Sequence, residues 1–114
     1  MQEKESEVTE WIEELEKRRE DCDKKITELN EEISRMEWRI ARLQEFQKNI
    51  EAGIIQVDHP ELMVEKTQLE MKNLAQLKGE KREIKIEEVT DREFCNALIS
   101  YLRSYPQSGQ EVLL

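Results

Sequence analysis

This sequence is poor in the residues that break helices. Three glycines and two prolines punctuate 114 residues, and none lies within residues 1–52. Aromatics make up only 5% of the chain, against 39% charged and 37% hydrophobic residues. That mixture is too charged for an ordinary compact globule, yet too apolar and too regular for a disordered tail. Long helices with narrow apolar stripes fit it best. Two cysteines and one histidine cannot supply four ligands for a structural zinc ion from one chain. Cys22 and Cys95 therefore read as reduced thiols in packed positions, in keeping with an intracellular compartment.

Long apolar runs are also missing. None approaches the ~18 residues that a membrane helix requires, and MQEKESEV lacks the basic and apolar blocks of a secretory signal. No Asn-x-Ser/Thr occurs. A cytoplasmic chain without a membrane span is the expectation, with association to the cytoskeleton compatible with it. Positive charge is scarce as well, the net charge being −9, with no basic block in either half. Duplex binding needs clustered Lys and Arg on the phosphates. A basic zipper protein would carry them just before its heptads, where this chain has QEKESE. Nucleic acid is thereby set aside as a partner.

What the sequence does have is a long heptad pattern. From Val8 the three-four spacing visits Ile12, Leu15, Arg19, Cys22, Ile26, Leu29, Ile33, Met36, Ile40, Leu43, Gln47 and Ile50. Only Arg19 and Gln47 interrupt it with polar side chains over about six heptads, more than a coiled coil needs. Isoleucine dominates position a, and leucine or methionine position d, the preference of parallel two-stranded coiled coils. Position g carries Arg18, Lys25 and Arg39 with one acid, Glu32, while position e carries Glu16, Asp23, Glu37 and Glu51. In a parallel dimer g meets e of the other chain, so basic faces acidic. The sequence thus predicts a parallel homodimer through Ile12, Leu15, Cys22, Ile26, Leu29, Ile33, Met36, Ile40 and Leu43. Arg19 either fixes the register or extends its head out of the seam. Cys22, at d, is small apolar filler or, under oxidation, half of an interchain disulfide.

GIIQVDHPEL ends the first helix. Gly53 supplies a C-terminal stop, and Asp58 with Glu61 resembles a capping box, with Val57 and Leu62 at the staple positions. The short link predicts a second helix folding back antiparallel, from about residue 59 to 78. Its apolar residues cover a broad face. A return helix of that length spans roughly 28 Å and would reach the part of helix one where Trp38 leaves the seam. Trp38 and Phe46 are accordingly expected to pack beneath it, with Leu62 and Leu69 as intrachain partners. KGEKRE at 78–83 reads as a break (a helix running on through Gly79 being the less favoured alternative), and EIKIEEV as a strand-like or extended linker. Thr90 and Glu93 form a second capping box. A short amphipathic helix then carries Phe94, Leu98, Tyr101, Leu102 and Tyr105, either packed on the protein itself or free to dock a partner. The terminal VLL is a weak candidate for carboxylate capture by a strand-addition domain.

No catalytic, phosphate-binding or metal motif is present. His59 lies in a turn beside a proline, with no nucleophile near it in sequence. The expectation is therefore an all-α, non-enzymatic chain without a cofactor, in three parts: a dimerisation helix (1–52), a turn and return helix (53–78), and a linker, short helix and tail (79–114). It would act as a scaffold, holding two copies of a binding module at fixed separation for another protein, in a cytoskeletal, centrosomal, ciliary or trafficking assembly. The alternative is a regulatory adaptor that uses an intrachain hairpin to bind a small GTPase or similar switch protein.

Overall fold

A computed structural model describes residues 2–104, with side chains from Ser6 onward. Two helices make up the described residues, α1 (Gln2–Glu51) and α2 (Pro60–Ser104), with no strand among them. The all-α expectation and the helix reversal after Gly53 match this architecture. The chain divides into two compact units. One comprises Met1–Thr27 with Lys85–Leu114, and the other is Glu28–Ile84. In each unit a segment of α1 pairs with a segment of α2, and ion pairs between the two show that they run antiparallel. In the first unit Glu16 meets Arg103 and Lys25 meets Glu88. In the second, Glu32 meets Lys81 and Glu37 meets Lys78.

α1 ends as its sequence dictates. Gly53 has φ 76°, a left-handed conformation that glycine adopts without steric cost. The Ile54 N–H donates to the Asn49 carbonyl at 2.9 Å, and the Gly53 N–H to Ile50 at 3.0 Å. This pair of bonds is a Schellman cap, which satisfies carbonyls that the helix end leaves open. α2 begins one residue later than the Asp58–Glu61 pattern suggests. The Met63 N–H donates to the His59 carbonyl at 3.1 Å, so His59 is the N-cap and Pro60 takes the first helical position, where its missing N–H costs nothing.

The main departure from expectation is the length of α2. Residues 78–89, expected to be a break and an extended linker, are helical throughout, and no separate short helix begins at Thr90. The Thr90 hydroxyl donates back to the Ile86 carbonyl at 2.9 Å, a mid-helix bond and not a cap. Gly79 costs such a helix about 1 kcal/mol relative to alanine. Its neighbours Lys, Glu and Arg are good helix formers, and Lys78, Lys81 and Arg82 reach acids on α1. Local propensity and cross-helix attraction together outweigh one glycine.

The core is a seam between the two helices. In the first unit Leu15, Cys95, Ile99 and Leu102 form a buried cluster, with Val8, Ile12 and Leu98 packed against it. Cys22 and Ile26 are buried in the same unit. In the second unit Leu29, Ile33, Met36, Ile50 and Thr67 are buried, flanked by half-buried Ile40, Leu43, Phe46, Met63, Val64, Met71 and Leu74. Burying one such aliphatic side chain is worth roughly 1.5–3 kcal/mol. The heptad stripe assigned to a second copy of the chain is therefore covered in a single copy, by α2.

Candidate functional site

The seam of α2 explains both its length and its disguise. Its inward positions recur at the same three-four spacing, through Val64, Thr67, Met71 and Leu74 to Cys95, Ile99 and Leu102. Between them the pattern continues with Lys78, Lys81, Lys85, Glu88 and Arg92, all partly covered. In the second unit the antiparallel register sets Lys81 opposite Ile33 and Lys78 opposite Met36. Lysine stems lie along the apolar stripe while their ammonium groups reach Glu32 at 3.0 Å and Glu37 at 3.7 Å. A long basic side chain can cover hydrocarbon in this way and keep its charge in water.

In the first unit the ion pairs define two flanks. Glu16–Arg103 and Asp23–Arg92, the latter at 3.2 Å, mark one. Arg18–Asp91 marks the other, with Arg18 Nε donating to Asp91 Oδ2 at 2.9 Å and Nη2 to Oδ1. The same guanidinium lies 5.5 Å from the Phe94 ring centroid, a cation–π distance. Trp11 precedes Arg18 by one heptad, Leu98 follows Asp91 by one, and Tyr101 follows Phe94 by one. Trp11, Phe94, Leu98 and Tyr101 therefore share the Arg18–Asp91 flank. Leu98 is half-buried against the core, while Trp11, Phe94 and Tyr101 stand 47%, 51% and 56% exposed. A shallow depression on this flank is lined by Arg18, Ile86, Glu87, Thr90, Asp91 and Phe94.

Arg18 also sets the local protonation. Its hydrogen bonds hold the Asp91 carboxyl below the usual range, with a lesser contribution from the Cys22 thiol, which donates to Asp91 Oδ2 at 3.2 Å. Asp91 in turn raises the Arg18 pKa, so the guanidinium stays charged. Burial pushes the Cys22 thiol up to about 12, helped by hydrogen bonding to Asp91 and Glu88. A thiol held neutral in this way is a poor nucleophile. Both cysteines are buried and free.

The structure distributes the sequence candidates unevenly. Of the residues assigned to a dimer seam, Leu15, Cys22, Ile26, Leu29, Ile33 and Met36 are buried within one chain, and Ile12, Ile40 and Leu43 are half-buried. Trp38, expected beneath α2, is 62% exposed and carries Arg42 over its ring at 5.4 Å. Leu62 and Leu69, its expected partners, are also mostly exposed, and only Phe46 of that group is partly covered. The reason is geometric. Two helices that pair along their a and d stripes share one line of contact, and position f, where Trp38 sits, faces away from it. Among the proposed docking residues Phe94 and Tyr101 are exposed, Leu102 belongs to the core, and Tyr105 lies outside the described residues. His59 is exposed. No cluster of three or more metal-ligating side chains occurs among the described residues, and no described helix is long and apolar enough to cross a membrane. Sequence reasoning passed over Trp11 and Ile99, and it placed Cys95 in a packed position without assigning it to a seam. The 95-99-102 spacing is the signal for the last two, and the heptad step from Arg18 is the signal for Trp11.

No protein-family model matches this chain, and neither a curated protein nor a solved structure is similar to it.

Proposed function

We propose that this chain is a non-enzymatic protein-binding module built on an intrachain antiparallel coiled coil, working as a monomeric adaptor. One observation carries the reading: the α1 stripe from Leu15 to Met36 is buried in a single copy. The strongest association signal in the sequence is thereby used in folding. What remains for a partner is the outer surface, where the aromatic flank of the first unit is the most concentrated apolar feature. Exposed aromatic side chains supply large contact area at small entropic cost, which makes them good anchors. Light scattering on the intact chain tests this reading, with 13.7 kDa expected for the particle in solution.

A second reading, the parallel homodimer scaffold, draws support from the lopsided seam. Ile33 and Met36 lie in register with Lys81 and Lys78, whereas a second α1 would offer isoleucine and leucine, with complementary charges at g and e. A mass of twice the chain, reduced to one chain by Ile33→Asp, would select that reading over the adaptor.

A further inference from the structure

We propose that the flank bearing Trp11, Phe94, Leu98 and Tyr101 is a docking surface for a basic amphipathic helix of another protein. The inference rests on the binding-module reading and names the partner's chemistry. The apolar content of the flank is concentrated in side chains one heptad apart, Phe94 with Tyr101 on α2 and Trp11 one step before Arg18 on α1. That spacing suits a helix whose anchors recur every three, four and seven residues.

Charge decides which helix. Glu7, Glu14 and Asp21 follow one another at heptad spacing on α1, at the position next to that of Trp11 and Arg18, and all three are exposed. None takes part in an ion pair with a described residue. Of the bases beside the strip, Arg18 is engaged by Asp91 and Lys25 by Glu88, while Lys17 and Lys24 lie exposed along its far side, away from the aromatic side chains. The aromatic surface is therefore bordered along α1 by an acidic strip that the two lysines on its far side, which share their heptad position with Glu10, offset only in part. Lys and Arg flanking the apolar stripe of a partner helix would meet that strip, steering the encounter and fixing the orientation. Other occupants fit less well. A second copy would bring the same acidic strip against itself in a chain of net charge −9, and anionic lipid or nucleic acid would be repelled.

The test uses the full chain carrying Trp38→Phe, which leaves Trp11 as the sole tryptophan reporter. The probes are a twenty-residue amphipathic peptide of leucine and lysine and its counterpart with glutamate at every lysine position. Trp11 emission should shift to the blue with the leucine–lysine peptide only, and peptide anisotropy should show binding that weakens as salt is raised. Phe94→Ala leaves the charge unchanged and replaces an exposed side chain. It should lower the affinity at least tenfold with helicity intact, which separates docking from general attraction to a polycation. Glu7→Lys combined with Glu14→Lys should lower it as much. Equal binding of the two peptides, binding of neither, binding insensitive to Phe94→Ala, or an equal blue shift on neutral phosphatidylcholine vesicles overturns the inference. A monomeric chain that binds neither peptide loses this inference alone, because the module reading is decided by particle mass.

Discussion

Replacing Gly79 with alanine tests whether α2 runs unbroken through the most glycine-like stop in its sequence. In a helix interior, glycine is less favourable than alanine by about 1 kcal/mol, because more backbone freedom is lost on folding. A steric clash or a change in burial would offset that gain, and the structure removes both. A Cβ built at Gly79 meets nothing within 4 Å, so no neighbour has to move. The residue is exposed, so the methyl group neither gains nor loses much by burial. The expected result is stabilisation of about 1 kcal/mol. In a urea melt followed by helical circular dichroism, that raises the midpoint by roughly 0.3–1 M for ordinary slopes. The same gain raises Tm by about 4 °C for a chain of this size. Gly53→Ala is the built-in control. It also meets open space, but its φ of 76° is a conformation that costs an L-residue about 1–2 kcal/mol, so that variant loses stability. The two substitutions should move the midpoint in opposite directions. A neutral or destabilising Gly79→Ala would refute the argument, placing a turn where the structure has continuous helix.

Three further outcomes follow from burial and protonation. Ile99→Ala, at a side chain 1% exposed, should cost about 2–5 kcal/mol in denaturant melts, whereas Trp38→Ala should stay within about 1 kcal/mol. An equal loss at the two sites would restore the idea of a covered tryptophan. Gln47 has a buried side-chain oxygen without a hydrogen-bond partner, and Gln47→Leu should add about 1 kcal/mol by removing that burden; a loss of stability would show that the amide is satisfied. Cys22 gives a signed pH dependence. Its folded pKa lies near 12, above the unfolded value of about 8.5. The folded state therefore holds the thiol proton more tightly, and that stabilisation is complete below about pH 8.5 and is lost as the pH rises toward 12. Between pH 7 and 10 the urea midpoint should fall further for the native chain than for Cys22→Ala, and an equal fall in both would contradict the assignment.

The sequence disclosed α1 more fully than α2, for a physical reason. The apolar stripe of α1 is almost uninterrupted and no glycine or proline breaks it, so its heptads and its end at Gly53 could be read directly. α2 has the same periodicity, but Lys78, Lys81, Lys85, Glu88 and Arg92 occupy its inward positions, while Leu77, Ile84 and Ile86 face outward. A search for apolar spacing therefore loses the stripe for two heptads and finds in its place the alternating EIKIEEV, which looks like a strand. Only the acids opposite, Glu32 and Glu37 among them, make those bases legible as seam residues, and that pairing is tertiary information. The same blind spot entered the partner assignment. With the return helix taken to stop near residue 78, the stripe from Ile12 to Ile26 had nothing to cover it within the chain, and a second copy was the natural choice. Among the candidate docking residues, Phe94 and Tyr101 were legible as aromatics one heptad apart, but not as exposed ones. Leu98 and Leu102 were not separable from them until Cys95 and Ile99 fixed which side of α2 faces α1.

The central claim is that α2 of the same chain covers the apolar stripe of α1. Zero-length carbodiimide cross-linking of an equimolar mixture of ¹⁴N and ¹⁵N chains tests it most directly, because Glu32 and Lys81 lie 3.0 Å apart. The account predicts a Glu32–Lys81 isopeptide whose two halves always carry the same isotope, in a species of one chain's mass. Mixed-isotope Glu32–Lys81 peptides, or links joining α1 to α1 of a second chain in their place, would contradict it.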